Sequence, residues 1–197
     1  FRTKSADVYL TEAKVNKEMV AAMWVTLPGW GLWKNWNGSN NGVALLIKSC
    51  DRITPITTVP NILDHCSSVI GGIFRVEGAL NLQIICLYGC QDNHTISNQI
   101  EALDKRWDIP TLLAGDINWD PKRDRPNRLV RFLLDTGFQR ATPSNDVPTF
   151  SRGGTKSYLD HAFIKNWMPE KPIRVEVDLS TKDLSDHAAL TMAIPTA

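Results

Sequence analysis

Three short acidic motifs in the second half of the chain carry the side chains best suited to chemistry. They are GDIN at residues 115–118, LDH at residues 159–161 and SDH at residues 185–187. Each lies beside a run that is typical of a β-strand, so its carboxylate is expected at the rim of a sheet, held by a rigid scaffold. Several such strand ends meeting in one place would form a site for a hard cation with a histidine beside it, which suits phosphate chemistry.

Hydrolysis of a phosphodiester needs a polarised phosphate, a positioned water and compensation for charge on the leaving oxygen. Mg²⁺ polarises the phosphate when one or two carboxylates hold it and leave sites for water and substrate. Two carboxylates are candidate ligands: Glu12, which follows the extended run at residues 6–11, and Asp186. We therefore predict a Mg²⁺ site, in which Mn²⁺ can substitute.

The other motif residues suit the water and the proton. Asp116 can orient or deprotonate the attacking water, and Asn118 can hydrogen-bond that water or the phosphate. His187 can donate to a phosphoryl oxygen, and a carboxylate such as Asp160 would fix its tautomer and raise its basicity. Each feature alone has a plainer explanation, such as a solvated strand end, an Asx turn or a cap. The motifs together, in this order and all beside strands, favour a catalytic site.

The elements that must position these motifs are mostly strands. Eight strand-like runs occur, at residues 6–10, 42–48, 69–76, 80–89, 111–114, 159–164, 173–179 and 188–194. Helical spacing predicts three helices, at residues 16–24, 97–107 and 126–136, the last with Pro126 in its first turn and Gly137 as its stop. Helices that fall between more numerous strands indicate layered α/β or α+β packing.

A tryptophan-rich segment lies between predicted elements. Residues 28–42 contain Trp30, Trp33 and Trp36, and we expect them to form a long turn-rich connection. Such a loop could offer nucleic-acid bases a stacking surface. We prefer the alternative that it folds its own aromatic rings onto the edge of the sheet.

The bulk composition limits the classes of protein. At 197 residues and 43% hydrophobic content, the chain has enough apolar material for one domain over residues 1–197. No apolar run is long enough to span a membrane. The formal net charge of +1 means that a nucleic acid must be met by a local basic patch. Four cysteines are few for a disulfide scaffold, and we interpret them as reduced packing residues of an intracellular protein.

With its motifs in this order, the chain resembles the endonuclease/exonuclease/phosphatase superfamily from about residue 6 to residue 192. Within that superfamily, PTF at residues 148–150 and SYLD at residues 157–160 are similar to the endonuclease domains of non-long-terminal-repeat retrotransposons. The resemblance implies a four-layer α/β sandwich, with two mixed β-sheets face to face and helices outside. Members usually carry an asparagine on a strand before the glutamate, so we expect that the chain lacks the first strand of the fold.

The resemblance also implies roles for individual residues. Those assigned to the metal are Glu12 and Asp186. Those assigned to the chemistry are the water-activating Asp116, its partner Asn118, Tyr88 near the phosphate, Asp160 and the histidine that it orients, His187. Thr149 and Ser157 are assigned to the rim of the site as substrate-binding residues.

Two local features favour DNA as the substrate. The sequence KRDR at residues 122–125 follows closely on the GDIN motif and would bring Arg123 and Arg125 toward the site. Residues 151–156 are expected to form a flexible basic loop. In retrotransposon endonucleases its counterpart is a hairpin that reaches into a DNA groove, which implies that role for Arg152. The alternative for both features is a solvated charged surface. The Cys-Asp-Arg signature of the inositol phosphatases of the superfamily is replaced here by residues 151–157, which counts against that substrate.

We therefore expect a Mg²⁺-dependent DNA endonuclease that nicks its substrate and leaves a 3′-hydroxyl, as the target-cleaving domain of a retrotransposon polyprotein. The alternatives are a repair-type apurinic nuclease, another metal-dependent phosphodiesterase of the superfamily and, in a different class, a degenerate member that only binds. We further expect an intracellular protein, nuclear if it belongs to a retrotransposon. As an isolated domain it is expected to be monomeric, with no membrane partner and no small-molecule cofactor.

Overall fold

Thirteen strands and one helix make up the regular structure in the part of the chain that a computed structural model describes. That part is residues 8–12, 30–36, 42–48, 53–58, 69–76, 80–89, 100, 108–167, 172–181 and 185–193, with side chains described from residue 69 onward. The strands are β1 (Val8–Glu12), β2 (Trp30–Trp36), β3 (Gly42–Lys48), β4 (Ile53–Thr58), β5 (Val69–Val76), β6 (Leu80–Tyr88), β7 (Thr111–Asp116), β8 (Gln139–Ala141), β9 (Phe150–Arg152), β10 (Thr155–Ser157), β11 (Asp160–Lys165), β12 (Arg174–Asp178) and β13 (Ala189–Ala193). The helix is α1 (Arg128–Asp135), and a short 3-10 helix covers Leu179–Thr181.

A six-stranded mixed sheet in the order β4-β5-β6-β7-β11-β8 forms the centre of the described structure. Its neighbours pair antiparallel except β6 and β7, which are parallel. Continuous apolar runs such as LNLQIICLY in β6 suit strands that are covered on both faces. A three-stranded sheet in the order β1-β3-β2 contacts this sheet through β5, β6 and β7.

The two faces of the six-stranded sheet are buried by different layers. On one face the central strands pack with α1, in a core of Ile85, Leu87, Leu113, Phe163, Leu129, Val130 and Leu133. On the other face they pack with the pair β12 and β13, in a core of Ile84, Cys86, Leu112, Ala114, Ala162, Val175, Leu190 and Met192. Helix, sheet and second β-layer are therefore stacked, as the predicted sandwich requires.

Helix α1 confirms the predicted helix at residues 126–136, with its start moved inward. Asn127 is the N-cap, and its side chain accepts a hydrogen bond from the backbone of Val130 at 2.9 Å. Pro126 therefore lies before the cap. Gly137 ends the helix with φ +90°, and Phe138 N donates to Leu133 O at 2.9 Å, which is a Schellman motif.

The tryptophan-rich connection was predicted wrongly. Trp30–Trp36 is a strand, β2, that pairs along its whole length with β3. The tryptophans recur every third residue, with glycine, leucine, lysine and asparagine between them, so the two-residue period of a strand is absent. The conformation of the segment is set by its pairing with the apolar β3. The short strands β4, β8, β9 and β10 were also missed. The predicted helices at residues 16–24 and 97–107 lie outside the described residues, apart from residue 100.

Among the described residues, no helix is both long enough and apolar enough to cross a membrane. Cys86 is buried in the core, as predicted for a packing cysteine. The other three cysteines lie outside the described residues.

Candidate active site

Three predicted site residues share one row across the central sheet. Tyr88 pairs with Asp116 across β6 and β7, and Asp116 pairs with Asp160 across β7 and β11. Residues in one row project from the same face of a sheet. Tyr88 packs against the core on the side of β12 and β13, which identifies that face. The sheet therefore brings together three side chains that are up to 72 residues apart in the sequence.

Gly115 allows β7 to lie close to β6 at the end of this row. Its φ is +148°, and a Cβ on it would lie 1.9 Å from the carbonyl oxygen of Leu87, a distance that no side chain tolerates. Gly89 is similarly close to the next segment, because a Cβ there would lie 2.7 Å from the carbonyl oxygen of Ile117. The glycine of the GDIN motif thus allows close packing of the two strands directly beside Asp116.

The turn after Asp116 fixes Asn118. Asn118 has φ +50°, and its backbone N–H donates to Asp116 Oδ1 at 2.8 Å. This is an Asx turn, the alternative considered for the isolated motif, and here it also positions a site residue. The Asn118 side-chain nitrogen donates to the carbonyl of Gly89, which ties the turn to the end of β6.

His187 meets the row from the second β-layer. Its Nδ1 lies 2.9 Å from Asp160 Oδ2, and its Nε2 lies 4.0 Å from Asp116 Oδ2. The edge of the His187 ring faces Phe150, with the ring centroids 5.0 Å apart. The predicted contact between His187 and Asp160 is therefore confirmed, and it joins the LDH and SDH motifs.

The surroundings of His187 favour its charged form. The hydrogen bond to Asp160 raises the pKa of His187 from 6.5 to about 9, helped by the charges of Asp160, Asp116 and Asp186 and opposed by desolvation. At neutral pH the imidazole is accordingly protonated on both nitrogens. Nδ1–H then donates to Asp160, and Nε2–H remains to donate toward the side of Asp116.

The basic loop predicted at residues 151–156 is an ordered hairpin. Strands β9 and β10 pair through a two-residue turn in which Gly153 and Gly154 have φ +55° and +82°, as a type I′ turn requires. Ser151 N donates to Asp186 O at 2.8 Å, so β9 is hydrogen-bonded to the SDH motif. Arg152 Nη1 lies 3.9 Å from Asp186 Oδ2, with the arginine side chain 79% exposed.

Thr149 holds the backbone at Asp160 through its hydroxyl group. It is buried, and its hydroxyl oxygen accepts hydrogen bonds from the backbone of Leu159 and Asp160, each at 3.0 Å. Its side chain therefore holds the residue that orients His187. Ser157 is half-buried at the end of β10, opposite Phe150. Contact of Thr149 or Ser157 with substrate stays a prediction.

The basic segment at residues 122–125 is only partly available to a ligand. Lys122 Nζ donates to both carboxylate oxygens of Asp146 and to the hydroxyl of Tyr158, contacts that raise the pKa of Lys122. Arg123 Nε lies 3.8 Å from Asp120 Oδ2, and the arginine side chain is 60% exposed. Arg125 is exposed as well. Lys122 is also exposed, but its ion pair with Asp146 offsets its charge, so the arginines are the more available cations.

The predicted metal ligands are partly described. Glu12 is the last residue of β1, as expected, but its side chain lies outside the description. Asp186 is 43% exposed beside His187. Among the described side chains, no three His, Cys, Asp or Glu residues are grouped closely enough to hold a metal. Mg²⁺ takes one or two carboxylates together with water and phosphate oxygens, and Asp186 is an exposed carboxylate of that kind beside His187.

Two buried polar residues near the site, Asp120 and His161, were given no role from the sequence. His161 points to the face opposite Asp160, where its Nε2 lies 2.8 Å from Trp119 O, and burial lowers its pKa. Asp120, only 3% exposed, follows Trp119 and was given no role. No spacing rule marks it, because its partner Tyr158 is 38 residues away.

Solved structures share this fold. The 3′–5′ exonuclease NExo from Neisseria meningitidis superposes with a TM-score of 0.66 at 18% identity, covering 98% of this chain and 90% of that chain. An AP endonuclease from Archaeoglobus fulgidus gives 0.69 at 13% identity, covering 96% and 89%. D. rerio TDP2, in complex with a single-strand DNA product, gives 0.64 at 12% identity, covering 96% and 86%.

The comparison with curated proteins finds no match. A family model described as "Endonuclease-reverse transcriptase" matches residues 82–191, which is more than half of the chain and includes all three acidic motifs. Together with the sandwich fold and the row of site residues, this match places the chain in the endonuclease-reverse transcriptase family, within the endonuclease/exonuclease/phosphatase superfamily of hydrolytic enzymes.

Proposed function

We propose that the chain is a Mg²⁺-dependent DNA endonuclease that hydrolyses one strand of its substrate and leaves a 3′-hydroxyl. The observation that carries this proposal is the convergence of Asp116, Asp160 and His187 at the end of two paired strands. A histidine kept protonated between two carboxylates suits the stabilisation of a phosphate that gains charge during hydrolysis.

The residues divide the chemistry between them. His187 donates from Nε2 to a phosphoryl oxygen while Asp160 holds its Nδ1–H at 2.9 Å. A phosphate bound in this way lies next to Asp116, whose carboxylate orients the attacking water and accepts its proton as the new oxygen–phosphorus bond forms. The 3′ oxygen leaves and is protonated from water. A divalent cation held by Asp186 and Glu12 would polarise the phosphate and compensate charge on that oxygen.

DNA is the substrate that the surface favours. Arg152 and Lys156 lie exposed on the hairpin, and that hairpin is hydrogen-bonded to the SDH motif, so positive charge adjoins the reacting groups. The structurally similar D. rerio TDP2 was solved with a single-strand DNA product, which supports a nucleic-acid substrate for this site.

The description of the matching family joins an endonuclease to a reverse transcriptase, which supports a role as the target-cleaving domain of a retrotransposon polyprotein. Such a role would have the protein act in the nucleus. Sequencing the transcript that encodes this chain tests that role. A reverse transcriptase in the same reading frame is expected, and its absence would contradict the role while leaving the endonuclease proposal intact.

The first experiment is nicking of supercoiled plasmid in Mg²⁺, with Mn²⁺ and EDTA reactions in parallel. Wild-type protein should produce nicked circles, and EDTA, Glu12→Ala and Asp186→Asn should abolish them. Asp135→Asn is the matched control, because it makes the same change at the exposed end of α1, on the layer across the sheet from the site. Nicking that survives EDTA or both site substitutions would refute the metal-dependent mechanism.

A repair-type apurinic nuclease is the second candidate, favoured by the TM-score of 0.69 with the AP endonuclease from Archaeoglobus fulgidus. Oligonucleotide duplexes with and without one abasic residue distinguish the two functions. Cleavage confined to the abasic duplex would favour repair, whereas cleavage of both duplexes favours the general endonuclease.

A further inference from the structure

A buried carboxylate outside the proposed chemistry connects the two turns that carry the site. Asp120 follows the GDIN motif by two residues, and it is 3% exposed although its side chain is a carboxyl group. Burial of a carboxylate is costly unless hydrogen bonds and positive charge compensate it. The partners of Asp120 therefore show what the residue is held for.

One set of these partners is local. Asp120 Oδ1 accepts from Lys122 N at 3.0 Å, and the Asp120 carbonyl accepts from Arg123 N at 3.1 Å and Asp124 N at 2.8 Å. In return, Asp120 N donates to Asp124 Oδ2 at 3.3 Å. These contacts close a turn over residues 120–124, and they alone would make Asp120 an ordinary turn former.

The second set crosses to the strand that carries Asp160. Asp120 Oδ2 accepts from the backbone N–H of Tyr158 at 3.4 Å. The next two amides, of Leu159 and Asp160, both donate to Thr149 Oγ1 at 3.0 Å. Three consecutive amides before and at Asp160 are thus held by two buried side chains.

The segment at residues 158–160 is also hydrogen-bonded to the turn at residues 116–118. Leu159 O accepts from Ile117 N at 2.9 Å, so the backbone between Asp116 and Asn118 is bonded directly to the residue before Asp160. Asp120, two residues after Asn118, adds a second hydrogen bond to the same segment by accepting from Tyr158 N. The hydroxyl of Tyr158 is also engaged, by Lys122 Nζ at 2.9 Å, so the loop holds Tyr158 by both its backbone and its side chain.

We propose that Asp120 is a positioning residue. It fixes the backbone of residues 158–160 against the turn at residues 116–118 and thereby sets the orientation of His187. This inference rests on the proposed endonuclease activity for its kinetic consequence but not for its structural one. Asp120 is hydrogen-bonded neither to Asp160 nor to His187, so it acts through the backbone at residues 158–160.

Asp120→Asn tests the proposal, because asparagine forms Asx turns as readily as aspartate. The asparagine side chain keeps one oxygen to accept from Lys122 N. Its NH₂ group then faces the N–H of Tyr158, and because both groups are donors, that hydrogen bond is lost. Asp135→Asn is the matched control, because it makes the same change at the exposed end of α1, where the side chain is bonded to neither Asp120 nor Tyr158.

Three measurements are made on each variant under conditions where all remain folded. The first is amide hydrogen exchange at residues 158–160 in metal-free protein. The second is the ¹⁵N resonance of His187 Nδ1, which reports its hydrogen bond to Asp160. The third is kcat and KM for plasmid nicking in Mg²⁺.

Asp120→Asn should lose exchange protection at Tyr158 and shift the His187 resonance. Its kcat should fall about 10- to 100-fold, the usual range for partners that orient a catalytic group, with KM little changed. Asp135→Asn should match wild type throughout. Wild-type exchange and resonance in Asp120→Asn would overturn the proposal, as would a wild-type kcat. If wild-type protein does not nick DNA at all, the proposed function fails, and the two spectroscopic measurements still decide the positioning role.

Discussion

The contact between His187 and Asp160 gives the protein a pH-dependent stability that is measurable without metal or substrate. The hydrogen bond to Asp160 raises the pKa of His187 from 6.5 to about 9 in the folded protein. Folding therefore favours the protonated imidazole. Because the folded-state pKa lies above the unfolded value, this stabilisation is fully present below about pH 6.5 and is lost as the pH rises through about 9.

The size of the effect follows from the shift. A pKa difference of one corresponds to about 1.4 kcal/mol, so a rise from 6.5 to about 9 limits the contribution of His187 to the free energy of unfolding to about 3.5 kcal/mol. The His187 side chain is 24% exposed and Asp160 16%, so solvent screens part of the interaction. We expect about 1–2 kcal/mol after that screening. Asp160→Asn removes the charged acceptor and should abolish most of the contribution.

The assay is urea unfolding in EDTA at about pH 6 and about pH 10, for wild type, Asp160→Asn and His187→Gln. The free energy of unfolding of wild type should fall by about 1–2 kcal/mol more than that of His187→Gln between the two conditions. Asp135→Asn, which is remote from His187, should follow wild type. Equal pH dependence in wild type and His187→Gln would show that the histidine is not held in its charged form, and the reasoning about its proton would be refuted.

Two further predictions concern the backbone of the site and the hairpin. Gly115→Ala should lower the free energy of unfolding by at least about 3 kcal/mol, because its Cβ would lie 1.9 Å from Leu87 O. Gly154→Ala, with φ +82° and open space around it, should cost only about 1–2 kcal/mol in the same urea unfolding, and equal losses would contradict the close approach of β6 and β7. Arg152→Gln should weaken DNA binding, measured by fluorescence anisotropy, and reduce the slope of log K against log salt by about 1. Arg174→Gln, on exposed β12 surface at the end of the strand away from His187, should leave that slope unchanged, and an unchanged slope in Arg152→Gln would exclude a phosphate contact by the hairpin.

The strands of the core could be predicted because their apolar runs identify them locally. Val69–Val76 and Gly42–Lys48 were predicted at their observed bounds, and α1 was recognised from its periodic leucines and terminal glycine. Strand β2 could not be predicted, since its tryptophans recur every third residue instead of every second, and the segment becomes a strand only through pairing with β3. Residues 151–156 were predicted as a flexible basic loop, and strands β9 and β10 were missed because three-residue strands carry too little pattern to be recognised.

The sequence by itself determined which chemistry was available. The three acidic motifs, their order and their places beside strands identified the superfamily, because carboxylates and a histidine are the groups that phosphate hydrolysis needs. The family match over residues 82–191 confirms that inference.

Only the tertiary structure decided which of these groups meet. Register across β6, β7 and β11 aligns Tyr88, Asp116 and Asp160, and alternation along β11 turns His161 away from them. Thr149 and the buried carboxylate of Asp120 hold this row from distant parts of the chain. Those relations depend on hydrogen bonds between residues that are far apart in the sequence, and such pairings leave no local pattern in the residues that make them.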